Sequence, residues 1–183
     1  MSNEHAETLP INFLKYCPHC GSNRFAPLTS KEFVCGNCNF HFFTNSAAAV
    51  AAVIIDDSKR IMLTRRAVEP WRGMLDLPGG FVDPGEAAET ALRRELHEEL
   101  SAEIIDMHYI CSFPNSYIFS GYMVATTDLA FECTIRTADN ALVAHDDIDA
   151  IEWFKPEELP FERIAAPSIR NILKYYIALK HRK

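Results

Sequence analysis

No apolar run in this 183-residue chain approaches the roughly 20 residues that a helix needs to cross a bilayer, which excludes a helical membrane span. Positive charge is also in short supply. The 18 Lys and Arg against 25 Asp and Glu leave a net charge of −7, so no extended basic face is available to neutralise the phosphates of a nucleic acid. Lys174, Lys180, Arg182 and Lys183 are confined to the C-terminal helix and tail, where they read as a basic helix end facing water. Internal repeats and low-complexity segments are absent. Met1 to Pro10 is polar with no hydrophobic segment, so no secretory leader is expected there, and the expected compartment is the cytoplasm.

Six cysteines are present, and four of them stand as two pairs: Cys17-Pro18-His19-Cys20, then fourteen residues, then Cys35-Gly36-Asn37-Cys38. Two CxxC knuckles at this spacing supply four thiolates for tetrahedral zinc, and the glycines after Cys20 and Cys35 permit the tight turns that aim N–H groups at sulfur. Cys17, Cys20, Cys35 and Cys38 are therefore assigned a structural Zn²⁺, with His19 pointing outward. Cys111 and Cys133 sit in apolar segments and read as buried thiols. A ribbon this small does not fold without its metal. Residues 1–45 are expected to form the tail and ribbon and residues 46–183 a second domain, divided near Thr44-Asn45-Ser46.

Within the second domain the apolar run Ala47 to Ile55 predicts a buried strand, Arg60 to Thr64 a second, and Met123 to Ile135 a further strand or pair. The chemistry concentrates between Gly80 and Ala102. Glu95, Glu98 and Glu99 stand at i, i+3 and i+4 and project from one side of a helix, where three like charges repel unless a cation lies between them. Carboxylates with no sulfur or imidazole nearby suit Mg²⁺ or Mn²⁺. Leu77-Pro78-Gly79-Gly80 and Asp83-Pro84-Gly85 precede the helix and make a glycine-permissive loop that a ligand can approach closely. Arg94 is placed to orient a carboxylate, and Ala88, Leu92, Leu96 and Leu100 give the helix a separate apolar stripe.

The stretch resembles the signature of the Nudix hydrolases, G-x5-E-x7-R-E-U-x-E-E-x-G-U, where U is aliphatic. Gly80, Glu86, Arg94, Glu95, Leu96, Glu98 and Glu99 fill seven of its nine specified positions; Ser101 and Ala102 depart from it at the helix C-cap. The resemblance implies an α/β fold, an α/β/α sandwich with a mixed sheet, and metal-dependent hydrolysis of a pyrophosphate bond in a nucleoside diphosphate derivative. It implies Glu95, Glu98 and Glu99 as metal ligands with the Gly79 carbonyl, Arg94 orienting Glu95, and Glu86 supporting the loop or binding a further metal.

The base that activates water lies outside the signature in many members; Asp147, upstream of Trp153-Phe154, is the nominee, with Asp146, Asp149 and Glu152 as neighbours open to the same role. Arg65, Arg66 and Arg72 are candidate diphosphate contacts through the guanidinium fork, of which Arg72 lies in the Trp71-Arg72-Gly73 approach to the loop. Phe113, Tyr117 and Phe119 are candidates for stacking on a base or nicotinamide ring.

A ribbon ahead of such a domain resembles the NADH pyrophosphatase subgroup, which splits NADH, NAD⁺ or NAD-capped RNA ends into two mononucleotide halves. Phe113-Pro114-Asn115-Ser116 matches only the tail of that subgroup's specificity motif, while Trp71 to Gly80 looks more like ADP-ribose pyrophosphatases. The expected partner is thus a small nucleotide, with a capped RNA 5′ end as the one nucleic-acid case, and the resemblance implies a homodimer. The alternative function is a nucleotide-sensing or binding module in which the ribbon contacts protein or nucleic acid and the Nudix-like domain is not catalytic.

Overall fold

The computed structural model describes residues 7–137 and 142–181; the first six residues, residues 138–141, and Arg182 and Lys183 of the basic tail lie outside them. The chain divides into two compact units, one of Met1–Ser46 with Ser116–Ala125 and one of Ala47–Asn115 with Thr126–Lys183. The second unit is therefore not continuous over 46–183. Among the described residues no helix is long and apolar enough to cross a membrane.

The first unit carries a short helix α1 (Pro10–Phe13) and an antiparallel sheet of β1 (Phe25–Pro27), β2 (Glu32–Cys35) and β3 (His41–Phe43). Its buried side chains are Cys17, Phe25, Phe33 and Cys35, a core too small to hold a fold by apolar burial alone.

In the second unit the run from Ala47 forms β4 (Ala47–Ile54), and its alternation decides the layering. Ala51 and Val53 face a core that includes Ile169, Ile172, Leu173 and Tyr176, whereas Val50, Ala52 and Ile54 face a core that includes Ala91, Leu92, Leu96 and Leu100. Those two sets come from different helices, α3 (Pro167–Lys180) and α2 (Ala88–Leu100), so the sheet is covered on both sides, which is why β4 reads as a continuous apolar run.

β5 (Ile61–Arg66), β6 (Leu75–Asp76) and β9 (Ile148–Phe154) form one antiparallel sheet in the order β6-β5-β9. The other sheet has the order β4-β8-β7, with β7 spanning Ala102–Phe119 and β8 spanning Tyr122–Thr137, and β4 runs parallel to β8 from Ala47↔Thr126 to Ile54↔Cys133. Parallel and antiparallel pairs together make the mixed α/β arrangement. Ser120 and Gly121, with φ of 50° and 79°, turn β7 into β8, the left-handed pair that a two-residue hairpin requires. Beside that turn, Tyr122 meets Phe13 edge-to-face at 5.4 Å within the first unit.

α2 begins at an Ala87 cap with no side-chain hydrogen bond and ends at Ser101, which adopts the left-handed conformation (φ 50°, ψ 35°) and donates its N–H to the His97 and Leu96 carbonyls. The helix thus closes with the backbone geometry of a glycine cap although the residue is serine.

Candidate active site

The loop from Leu77 to Gly80 is fastened to the sheet before it reaches the helix. The N–H groups of Ala52 and Val50 donate to the carbonyls of Pro78 (2.9 Å) and Gly80 (2.8 Å), and the intervening Gly79 donates its own N–H to Glu99 Oε2 at 3.0 Å. Gly79 admits no side chain, whereas a side chain at Gly80 would have to displace the Glu95 carboxyl group. Gly79 has φ +140°, and a Cβ there would stand 2.1 Å from the Val50 carbonyl oxygen; a Cβ on Gly80 would stand 2.5 Å from the Glu95 carboxyl group.

Arg94 gathers the remaining carboxylates of the signature. It donates from Nε and Nη2 to Glu86 (3.2 and 3.0 Å) and from Nη1 to Glu95 (2.7 Å) and Glu98 (3.2 Å), and Nη2 also reaches the Phe81 carbonyl at 3.0 Å. These bonds hold the guanidinium charged, and they hold the Glu86 carboxyl below its ordinary range. Glu98 is the most open of the set, with a side chain 45% exposed.

Glu99 is buried, and burial pushes its carboxyl up to about 8 against the lowering effect of the Gly79 N–H, with the charges of Glu95, Asp76 and Asp147 adding to the rise. Glu95 is raised as well, first by burial, with Glu98 and Asp146 contributing and Arg94 opposing. Acidic groups that destabilise one another's charge, flanked by a glycine backbone and free of sulfur or imidazole, fit a hard divalent cation by donor chemistry. The carboxylate oxygens of Glu95, Glu98 and Glu99 do not converge as a compact cage, since Arg94 draws Glu95 and Glu98 to itself.

Around this core lies a cleft of about 230 Å³, lined by Gly79, Gly80, Arg94, Glu95 and Glu99 from the signature and by Thr64, Arg66, Asp76, Asp146 and Asp147 from elsewhere. Asp147 is carried in by the segment after β8, which is anchored where Ala67 N–H donates to the Asp147 carbonyl (2.7 Å) and His145 N–H to the Glu99 carbonyl (2.9 Å). Asp146 beside it takes a left-handed conformation, φ 54°. Asp76 pairs with Arg66 at 3.1 Å, and burial pushes its carboxyl up to about 6 in spite of that cation.

Among the other nominated residues, Arg66 alone lines the cleft. Glu86 and Glu98 reach it through Arg94 and are not among its lining. Of the arginines, Arg66 lines it, Arg65 is engaged by Asp149 at 2.6 Å, and Arg72 is not part of the wall. Phe113 packs edge-to-face against Tyr175 at 6.4 Å beside the core that includes α3, and Tyr117 and Phe119 belong to the hairpin end in the first unit. Of these three aromatics on β7, Phe113 packs on the core and Phe119 is exposed. Asp76 was missed because it lies on a two-residue strand outside any motif.

In the first unit the Sγ atoms of Cys17, Cys20, Cys35 and Cys38 all lie within 4.8 Å of one another, with Cys17···Cys38 at 3.7 Å and Cys20···Cys35 at 3.6 Å. A disulfide would bring the sulfurs to about 2.05 Å, whereas tetrahedral ligands at about 2.3 Å from zinc stand near the observed separations. Asn37 N–H donates to Cys35 Sγ at 3.4 Å. Burial opposes the Cys35 thiolate, but N–H donors of Cys38 and Asn37 outweigh it and hold the thiol down at about 6. The four sulfurs fit Zn²⁺.

A NUDIX-domain family model matches residues 45–176. The chain belongs to the Nudix family. This Nudix chain is 28% identical over 169 residues to the NAD-capped RNA hydrolase NudC of Pseudomonas fluorescens, a match covering 90% of the chain and 55% of that protein. It is 23% identical over 169 residues to the NudC of Shigella dysenteriae, covering 61% of it, so the chain spans little more than half the length of these curated relatives. Among solved structures, a NUDIX hydrolase from Nitrosomonas europaea aligns with TM-score 0.64 and 22% identity over 92% of this chain and 93% of that one, a likeness of fold. The E. coli ORF135 protein aligns with TM-score 0.61 and 28% identity, over 76% of this chain and 94% of its own.

Proposed function

We propose that this Nudix domain hydrolyses the pyrophosphate bond of a dinucleotide or ADP-ribose-like nucleoside diphosphate derivative, releasing AMP and a phosphorylated second half. The observation that carries the reading is the meeting, in one cleft, of the Gly79-Gly80 backbone, Glu95 and Glu99 with Arg66 and Asp147. A module that only senses nucleotides has no need of the carboxylate set and its orienting arginine together.

Glu95, Glu98 and Glu99, with the Gly79 carbonyl and Glu86 in support, would hold Mg²⁺ or Mn²⁺, which when bound neutralises charge developing on phosphate oxygens and lowers the pKa of water. The chain's own groups do the rest. Arg66 grips diphosphate oxygens from the cleft wall. Arg94 keeps Glu95 and Glu98 oriented and keeps Glu86 on the loop. Asp147 accepts at its carboxylate the proton of the attacking water as the phosphorus–oxygen bond to the leaving phosphate breaks. Asp146 is the second nominee for that role, since it lines the same wall. Cys17, Cys20, Cys35 and Cys38 would hold Zn²⁺, which would stabilise the ribbon.

Among substrates, the similarity to the NAD-capped RNA hydrolases NudC and the presence of the ribbon favour the NAD class, including a capped RNA 5′ end; the Trp71 to Gly80 segment keeps ADP-ribose beside it. Chromatography of products after incubation with NADH, NAD⁺ and ADP-ribose separates the two: AMP with nicotinamide mononucleotide at the higher rate assigns the NAD class, and AMP with ribose phosphate at the higher rate assigns ADP-ribose. Absence of turnover with all three sinks the hydrolase reading in favour of nucleotide sensing.

A further inference from the structure

Asp76 and Arg66 belong to no part of the signature, yet their bonds tie the cleft wall to the signature loop. Asp76 is the cross-strand partner of Thr64 on β5, so Thr64, Arg66 and Asp76 present their side chains to one side, and all three line the cleft. Each carboxylate oxygen of Asp76 has a different task. Oδ1 accepts the N–H of Leu77, the first residue of the Leu77-Pro78-Gly79-Gly80 loop, at 2.9 Å, and Oδ2 accepts Arg66 Nη1 at 3.1 Å. Arg66 is held a second time by donating from Nε to the Pro70 carbonyl at 2.8 Å. Two anchored donors fix the plane of a guanidinium, which a single contact does not.

We infer that Asp76 is a positioning residue that acts on substrate through Arg66, setting the guanidinium against the diphosphate while its other oxygen registers the start of the glycine loop. The inference rests on the pyrophosphate reading above, and it assigns Asp76 to binding and not to the chemical step. An anionic side chain lining a cleft for an anionic ligand is otherwise repulsive; pairing it with Arg66 turns that placement into a holder for the one arginine of the three candidates that the cleft contains.

The test is a double-mutant cycle on the steady-state constants of the holoenzyme, with ADP affinity measured by calorimetry in parallel. Asp76→Asn keeps an acceptor for Leu77 N–H and removes the charge that holds Arg66. It is expected to raise KM for the preferred substrate and weaken ADP binding by about tenfold with kcat held within about twofold, and to have under about twofold effect on either in an Arg66→Ala background. Equal effects of Asp76→Asn in both backgrounds, or a collapse of kcat with KM unchanged, overturn the inference. Should Asp76→Asn fail to fold, Arg66→Lys carries the same test, because lysine retains the charge but cannot span Pro70 and Asp76 together; an unchanged KM and ADP affinity overturn it. If the wild-type protein turns over none of the three substrates, the hydrolase reading has failed, and the ADP cycle alone decides the role of Asp76.

Discussion

The backbone N–H of Gly79 donates to the carboxylate of Glu99 at 3.0 Å, joining the loop that ends in Gly80 to the last turn of the signature helix. Twenty residues separate the pair in sequence. The bond uses one of the few lone pairs of a buried carboxylate that has Glu95, Asp76 and Asp147 as electrostatic neighbours, and its geometry depends on Gly79 lacking a side chain, since a Cβ there would stand 2.1 Å from the Val50 carbonyl oxygen.

Two alanine substitutions one residue apart should therefore fail in different ways. Gly79→Ala meets sheet backbone and is expected to destabilise the unit by on the order of 3 kcal/mol. Gly80→Ala meets the movable end of Glu95. It is expected to leave thermal stability nearly unchanged and to lower kcat by about 100-fold, the scale on which a misplaced catalytic group acts. Thermal unfolding and steady-state rates on both variants check this; a reversed pattern contradicts the assigned geometry.

Ser101→Gly should stabilise the protein. A non-glycine residue in the left-handed region costs about 1–2 kcal/mol, and the extra freedom of glycine in the unfolded chain returns part of that, leaving a net gain of roughly 0.5–1 kcal/mol. Denaturant unfolding reads it directly, and a loss of stability would mean that the serine hydroxyl holds the cap.

Glu99 should make stability depend on pH. Its folded-state value of about 8 lies above the unfolded carboxylate value of about 4.3. The folded protein therefore holds a proton that the unfolded chain has released, so the contribution is complete below about pH 4, declines as pH rises, and is gone above about pH 8. Without added Mg²⁺ or Mn²⁺, the wild-type Tm is expected to fall relative to Glu99→Gln between pH 5 and 8. Parallel curves for the two proteins would show that Glu99 is already ionised.

Serine in place of Cys38 should reduce bound zinc from one per chain to near zero by elemental analysis, and should open the first unit to protease, because its apolar core is only a few side chains. Retention of full zinc by Cys38→Ser would remove this cysteine from the ligand set.

The sequence made the signature residues legible because a metal–diphosphate site needs carboxylates at helical spacing beside glycine, and both are local patterns. β4 was equally plain, since a strand buried on both faces is apolar throughout. Arg66 could be nominated only as one of three arginines, and Asp76 not at all: they meet through antiparallel pairing of β5 with β6, and a cross-strand contact leaves no spacing to read. Phe113 stays ambiguous in the sequence for a related reason, as an aromatic on a strand has one pattern whether it packs on Tyr175 or on a ligand. The grouping of Ser116–Ala125 with the ribbon was hidden because β7 and β8 run without interruption from one unit to the other.

The most direct test of the account is metal-dependent turnover of NADH and ADP-ribose by the wild-type protein and Glu98→Gln, followed by chromatography of AMP. The account predicts AMP release that requires Mg²⁺ or Mn²⁺ and falls by at least about 100-fold in the variant, whose fold and zinc content are unchanged. AMP release that persists at the wild-type rate in Glu98→Gln, or that ignores the divalent ion, would contradict it.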